Sequence, residues 1–419
     1  MSEVPQIQIL DKKNYFTQAL VSLPDALPLP PLKASSLRIR TVVLTISLNT
    51  VANATKSAVL SSWTVHPLPS STPAPYNDAS KYGRINSWGY GQVAESTFPG
   101  VSKDAYVYGY LPIGTLPFDI TVETRPGVPG HIFATDTARQ HLLATYNRYM
   151  VHPEPKLLAD EIASRSPALA FETAFRIMHE SAFVLNAWAY CPRPEHSVPL
   201  SGLDTSFSTK ATDLTDAVVL VLAPGSKVAL AFAWMLRNER HQGGANPRKI
   251  VGVASEHSVD FVKATGLYNE TVLTSEENPV ELLKSWGVAK DKNLVLIDFG
   301  GRGGAGVKWA SALKPVYPKL GFAMIGVEVT ENSTADAVKT AIGLGGVPFN
   351  FSQLRDEAIK RTGEAEYFEA VDRSLKDFMQ NQIPGFEARW EEGMEAVMEG
   401  YKAFCTSSVG SNVGLVYKV

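Results

Sequence analysis

The sequence predicts an α/β protein: a β-rich first half followed by a doubly wound, parallel-sheet domain. Three observations carry this. Short apolar strands alternate with helices from about residue 213 to 330, the rhythm of βαβ units. Before residue 200 the chain alternates apolar and polar positions in β-branched segments broken by glycine. After a largely helical stretch at 352–402, the chain closes on the apolar run VGLVYKV. With 419 residues, 45% of them hydrophobic and 19% charged, there is enough apolar material for two cores.

The elements follow in order. LRIRTVVLTISLN, Leu37 to Asn49, alternates and is β-branched, which predicts a strand. PLPSSTPAPYNDASKYG is a Pro/Ser loop, and RINSWGYGQVAES and DAYVYGYLPIG are short strands interrupted by glycine, together a small irregular barrel. From His141 onward, LLATYNRYM and ADEIASRSPALAFETAFRIMHESAFVLNAWAY carry helical spacing. The regular rhythm then begins with strand AVVLVLA and helix SKVALAFAWMLRNE. Strand KIVGVAS is followed by helix SVDFVKATG ending at Gly266, and strand ETVLT by helix PVELLKSWG, bracketed by Pro279 and Gly287. NLVLIDF and KLGFAMIGVEV are the fourth and fifth strands. The expected division is 1–212, 213–330 and 331–419, the last segment completing the first domain with helices and a return strand.

Composition excludes several functions. A formal charge of -3 gives no basic face for nucleic acid. No window of eighteen apolar residues predicts a membrane span, and the N-terminus shows no secretory signal pattern. Two cysteines, Cys191 and Cys405, cannot build a disulfide framework or a Cys-rich zinc site, and no histidines pair as H-x-x-x-H. A metal-free protein of a reducing, cytoplasmic compartment is expected, with both cysteines as small packing residues.

Gly301-Arg302-Gly303-Gly304-Ala305-Gly306 spells the dinucleotide fingerprint G-x-G-x-x-G, yet it follows the fourth strand. In a doubly wound sheet the phosphate rests on the first βα turn, where free N–H groups and the helix dipole favour an anion. That turn is Ala223-Pro224-Gly225-Ser226-Lys227. Gly225, Ser226 and Lys227 are therefore the candidate phosphate residues, against the plainer reading of a tight turn with a solvated lysine. The second strand ends at Ala254-Ser255 with no acid at its tip, which favours NADP over NAD, with His257 or Lys263 neutralising a 2′-phosphate. Ser255 equally suits a helix cap. Gly300, Gly301, Arg302 and Gly303 are then expected to wall the cleft, oriented by Asp298, against the readings of a plain turn or of an independent phosphate site.

The order of these pieces resembles the medium-chain dehydrogenase/reductase superfamily, in its zinc-free, quinone-reductase-like branch. LRIRTVVLTISLNTVANA resembles that branch's segment ending in Asn, which falls on Asn49; LVLIDFGGRGGAG…KLGFAMIGV and VGSNVGLVYKV resemble two further segments. GRINSWGYGQV, VYGYLPIGT, ATYNRYM, APGSKVALAFAWML and VDFVKATGLYNETVLT resemble, more narrowly, an uncharacterised quinone-reductase-like family. The resemblance implies a GroES-like catalytic domain with a Rossmann-type domain, and NADP(H) as cofactor. The chain departs from it at the A-x-x-G-G-V-G turn and at the branch's Asp, which is Ala52 or Asn53 here.

For chemistry, Trp88, Tyr90 and Gln92 alternate onto one strand face, as do Tyr108 and Tyr110. Arg176, His179 and Phe183 share a helix face, with Ser181 a quarter-turn off. Asn49, Tyr90, His179 and Ser181 are the candidate catalytic side chains. The plainer readings are an aromatic core stripe, a packing histidine and a turn-forming Asn49; Tyr146 and Asn147 stay open. The expected function is NADPH-dependent reduction of an enone, quinone or aldehyde, the substrate being a small apolar or aromatic molecule. The alternatives are a cofactor-independent lyase, dehydratase or hydrolase step, or a binding protein on this scaffold. A homodimer through the edge of the nucleotide sheet, with KLGFAMIGVEV as edge strand, is a further expectation.

Overall fold

The computed structural model describes residues 4–55, 62–193, 197–200, 212–240, 244–300, 303–326 and 335–419. They fall into two units: Met1–Ala174 with Glu387–Val409 and Val413–Val419, and Phe175–Phe386 with Gly410–Asn412. The division thus falls at Ala174 and Phe386 rather than near 212 and 330. The helices Ala335–Gly343, Phe351–Thr362 and Glu364–Met379 group with the parallel sheet, while Glu387–Val409, with the helix Gly393–Cys405, and Val413–Val419 belong to the first unit.

In the first unit, β1 (Gln6–Asp11), β2 (Gln18–Ser22) and β4 (Tyr82–Gly83) make a small sheet of order β2-β1-β4. The larger sheet is built on β3 (Ser36–Ile46), with β5 (Asn86–Ser96), β6 (Tyr106–Pro112), β7 (Phe118–Glu123), β8 (His131–Ala134) and β9 (Arg148–Val151). Its strands run β3-β5-β6-β9-β8-β7, and β7 pairs back onto β3, closing a barrel. The closure needs a bent β3. Its register with β5 shifts at Arg38/Ile39 and at Thr41/Val43, and such bulges curve a strand. Gly89 lies where β5 crosses that bend, and a Cβ there would stand 2.7 Å from the Leu44 Cα. Leu37, Ile39, Val93, Val107, Leu111, Ile120 and Ile132 fill the interior.

Three sequence expectations are corrected here. The first strand stops at Ile46, not Asn49. The Ser47 amide donates to Thr50 Oγ1 at 3.3 Å, and Leu48–Thr55 winds into a helix instead. LLATYNRYM is not a helix: a single 3-10 turn, Ala144–Asn147, leads into β9. Arg139 and Asn147 take each other's polar groups there, with Arg139 Nε donating to Asn147 Oδ1 at 3.1 Å and Asn147 Nδ2 to the Arg139 carbonyl at 2.9 Å. The stretch 352–402 is not continuously helical either. After Gly385, at φ 78°, β16 (Glu387–Glu392) pairs in parallel with β17 (Val413–Lys418), which lies antiparallel on β3 as the return strand.

The second unit holds β10 (Val218–Leu222), β11 (Lys249–Ala254), β12 (Glu270–Leu273), β13 (Leu294–Asp298), β14 (Gly321–Met324) and β15 (Gly346–Pro348). All pair in parallel, in the order β12-β11-β10-β13-β14-β15. β10 reads VVLVL and is buried throughout, as a central strand covered on both faces must be. β14, expected at the edge, is interior, because β15 covers it. Helices Phe351–Thr362 and Glu364–Met379 lean on the helix Pro167–Val184 through a buried ion pair: Arg355 Nε donates to Glu180 Oε1 at 3.0 Å, both side chains being 5% exposed or less. The Tyr367 hydroxyl donates to the same oxygen at 3.3 Å. Cys191 is buried, Cys405 half-buried, and neither forms a disulfide. Among the described residues no helix is long and apolar enough to cross a membrane.

Removing one member of a buried pair strands the other charge, whereas replacing both with apolar groups does not. Glu180→Ala or Arg355→Ala is therefore expected to lower the unfolding free energy by about 3–5 kcal/mol, and Glu180→Leu with Arg355→Met to recover most of it. Urea denaturation checks this, and a loss below about 1 kcal/mol for either single variant contradicts it.

Candidate functional site

The strand order reverses its winding between β10 and β13, so a crevice opens beyond the carboxyl ends of these two strands. On the β10 side, Ala223 takes a left-handed backbone at φ 51°, and the Ser226 amide donates to the Ala223 carbonyl at 3.0 Å. The Tyr268 hydroxyl donates to the Pro224 carbonyl at 2.8 Å and ties the turn down. Ser226 caps the helix Lys227–Asn238, its Oγ accepting from the Ala229 amide at 3.4 Å. Lys227 is half-buried with its ammonium 5.8 Å from the centre of the Phe386 ring, and desolvation brings its pKa down to about 8. It is therefore not the solvated lysine of the plainer reading.

Gly225 has a different neighbour from the one the sequence suggests. A Cβ there would stand 2.7 Å from Ser411 Oγ and 3.0 Å from Ser411 Cβ. The glycine makes room for the segment Gly410–Asn412 of its own unit. Across the crevice the Gly300 amide donates to Asp298 Oδ1 at 2.9 Å, so Asp298 does orient the loop after β13. Gly300, Gly303 and Gly304 have φ of 112°, 64° and 68°, with open space where a Cβ would point. That backbone favours glycine, and leaves it bare to a ligand. Gly301 and Arg302 lie outside the described residues.

At the end of β11, Ser255, Glu256 and His257 are exposed, as is Lys263 on the helix Val259–Ala264. Ser258, not Ser255, occupies the cap position of that helix, and Ser255 Oγ lies 3.0 Å from Ser258 Oγ. A single exposed hydroxyl at a strand tip, with a histidine and a lysine near it in sequence, remains suited to a phosphate.

The other candidates divide between the units. In the first, Asn49 is exposed on the helix Leu48–Thr55, and it is Asn53 that is buried, its Nδ2 donating to the Tyr110 hydroxyl at 3.3 Å. The alternating stripe does share one face, and that face is buried: Trp88, Tyr90, Tyr108 and Tyr110 are all 6% exposed or less. Tyr110 stacks on Tyr146 with centroids 4.3 Å apart, and Trp88 stacks on Tyr108 at 6.0 Å. Burial pushes the Tyr146 hydroxyl up to about 12. The Tyr90 hydroxyl donates to Glu172 Oε1, so its proton is already engaged.

In the second unit His179 has no exposed surface. Its ring packs on Phe378, and its Nε2 lies 3.0 Å from Ser374 Oγ, which in turn donates to Glu239. Desolvation, reinforced by Arg176, lowers its pKa to about 3, so it is neutral at neutral pH. Ser181 donates to the Ile177 carbonyl of its own helix at 3.1 Å. These are the arrangements of packing residues, and they do not gather around an open site. Sequence reasoning missed Asn53 and Ser411. The first was signalled by the resemblance, which left Ala52 and Asn53 as alternatives; the second carried no local signal, being nearly two hundred residues from the turn it packs on.

A closed, GroES-like barrel in one chain with a Rossmann-type parallel sheet, whose winding reverses beside its first strand, is a known fold. Solved structures share it over the whole chain. CurA from Vibrio vulnificus is 10% identical, with 99% of this chain and 98% of that one covered and a TM-score of 0.56. CurK enoyl reductase is 13% identical, with 99% of each chain covered and a TM-score of 0.52. A mutant form of enoyl thioester reductase from Candida tropicalis is 12% identical, with full coverage of both chains and a TM-score of 0.52. The chain itself belongs to the family described as "Protein of unknown function (DUF2855)", whose model matches residues 44–410. No curated protein matches it.

If Gly225 is held to glycine by Ser411, Gly225→Ala is expected to cost about 1–3 kcal/mol, the range for overpacking. Adding Ser411→Gly is expected to return most of that cost. Thermal unfolding of the single and double variants checks this; equal losses in both contradict the assignment.

Proposed function

We propose that this protein is an NADPH-dependent, zinc-independent oxidoreductase that reduces a conjugated or aromatic carbonyl compound: an enone, quinone or aldehyde. One observation carries the reading. The crevice at the β10/β13 reversal is flanked by a capped helix N-terminus with Lys227 on one side and by bare glycine backbone on the other. The first-turn N–H groups and the Lys227 ammonium would hold a pyrophosphate. Gly300, Gly303 and Gly304 would let the backbone lie flat against a ribose or ring, and Ser255 with His257 would receive a 2′-phosphate. The nicotinamide, when bound, supplies the hydride. A CurA structure in complex with NADPH stands among the folds similar to this one and supports the choice of cofactor.

Ser411 against Gly225 favours a second reading, in which the turn has been given up as a phosphate site and the crevice serves a cofactor-independent reaction. The two readings separate by titration. NADPH is expected to quench the intrinsic fluorescence of the full chain and raise its melting temperature, with NADH weaker. Lys227→Met is expected to lower NADPH affinity at least tenfold, about 1.4 kcal/mol. No response at millimolar NADPH sinks the redox reading.

Lys227 also sets a pH dependence. Its pKa is about 8 in the folded chain, below the ordinary 10.5. Below pH 8 it is charged and ready for phosphate; above it, binding must recapture a proton, so affinity is expected to fall as pH rises through about 8. Between that value and 10.5 the unfolded chain holds the extra proton, so the lysine's contribution to stability rises with pH. Lys227→Met should flatten both trends; an affinity that does not change from pH 7 to 9 contradicts the assignment.

A further inference from the structure

Two of the buried arginines sit on carboxylates. Arg38 meets Asp119 through Nε at 2.8 Å and Nη2 at 2.9 Å, and Arg355 meets Glu180. Two others, Arg84 and Arg139 of the barrel unit, each 4% exposed, pair with no carboxylate among the described residues. Arg139 finds only neutral partners: Asn147 Oδ1 at 3.1 Å, the Tyr146 carbonyl at 2.8 Å, the Tyr149 hydroxyl at 3.1 Å, and the Val65 carbonyl and His66 Nε2 at 3.4 Å each. Arg84 finds less. Its Nε and Nη2 are buried and make no hydrogen bond, and desolvation lowers its pKa to about 10.

Asp136 lies near enough to act on Tyr149, but its Oδ2 is already taken by the Thr121 amide at 2.9 Å. His66 is fully desolvated, with Arg139 and Arg84 beside it, so it is held well below its ordinary pKa and is neutral. Asn86, with no exposed surface, has both amide atoms unbonded, and Thr145 Oγ1 is buried and unbonded. Two guanidiniums desolvated without a counter-ion are costly, and the cost is relieved by an anion that takes their free N–H groups. The backbone that Arg139 holds is that of Tyr146, whose ring stacks on Tyr110, so an aromatic plane adjoins the charged group.

We propose that Arg84 and Arg139 form an anion subsite for an organic carboxylate, Arg84 supplying the open fork and Asn86 a second donor. The guanidinium fork matches a carboxylate in plane, and the neutral His66 leaves the site's charge independent of pH near neutrality.

The test uses the full chain with sodium benzoate, its neutral analogue benzyl alcohol, and inorganic phosphate, followed by thermal shift and calorimetry. Benzoate is expected to bind and stabilise the wild type, with at least tenfold weaker binding in Arg84→Gln and no comparable response to benzyl alcohol. Because Arg84 lacks a partner, unliganded Arg84→Gln is expected to melt no lower than the wild type. The proposal is overturned if benzoate does not bind, if Arg84→Gln binds it unchanged, or if that variant melts far below the wild type without ligand. Phosphate binding with the same dependence on Arg84, and no benzoate binding, overturns the carboxylate class. NADPH titrations on the same samples keep the two readings apart: benzoate binding without an NADPH response removes reduction and leaves the subsite.

Discussion

Parallel pairing of β10 with β13 is the contact from which the nucleotide-type sheet grows in both directions. Val218 to Leu222 meet Leu294 to Asp298 residue for residue. β11 and β12 extend the sheet from β10, and β14 and β15 from β13. The connections leave these two strands in opposite directions, so nothing crosses their shared carboxyl end. Each turn there is tied by a side chain: Tyr268, from the segment before β12, on the Pro224 carbonyl, and Asp298 on the Gly300 amide.

The barrel unit meets a different constraint, closure of a short sheet on itself. β3 must pair with both β5 and β7, and it does so by bulging twice against β5. Val93 of β5 and Val107 and Leu111 of β6 then help fill the interior, and Trp88, Tyr90, Tyr108 and Tyr110 form a separate buried aromatic stripe. The same closure buries polar groups near β5 and β9. Some of these are paired within the unit, as Arg38 is with Asp119, and some are not, as with Arg84.

Elements set by local pattern were legible in the sequence. The apolar strands β10, β11 and β13, the helix that begins after Ser226, and the helix ends at Gly266 and Gly287 follow from periodicity and from glycine chemistry. The reading failed where distant chain competes with local preference. LLATYNRYM has helical spacing, but the exchange between Arg139 and Asn147, and pairing with β6 and β8, draw it into a turn and strand. KLGFAMIGVEV looked like an edge because β15, three residues long, is too short to be seen in the sequence. Gly225 looked like a ligand cradle because Ser411 lies far away along the chain. For the site, His179 proved to be core, while the G-x-G-x-x-G string follows β13 and has its Gly301 and Arg302 outside the described residues.

A crystal structure of the full chain soaked with NADPH tests the central claim most directly. The account predicts density for the pyrophosphate within about 3 Å of the Ser226–Lys227 backbone amides, the distance of a charge-assisted hydrogen bond. It also predicts the adenosine ribose at Ser255 and a ring or ribose along Gly300 to Gly304. Density for the cofactor elsewhere, or a crevice that stays free of it at saturating concentration, would contradict the account.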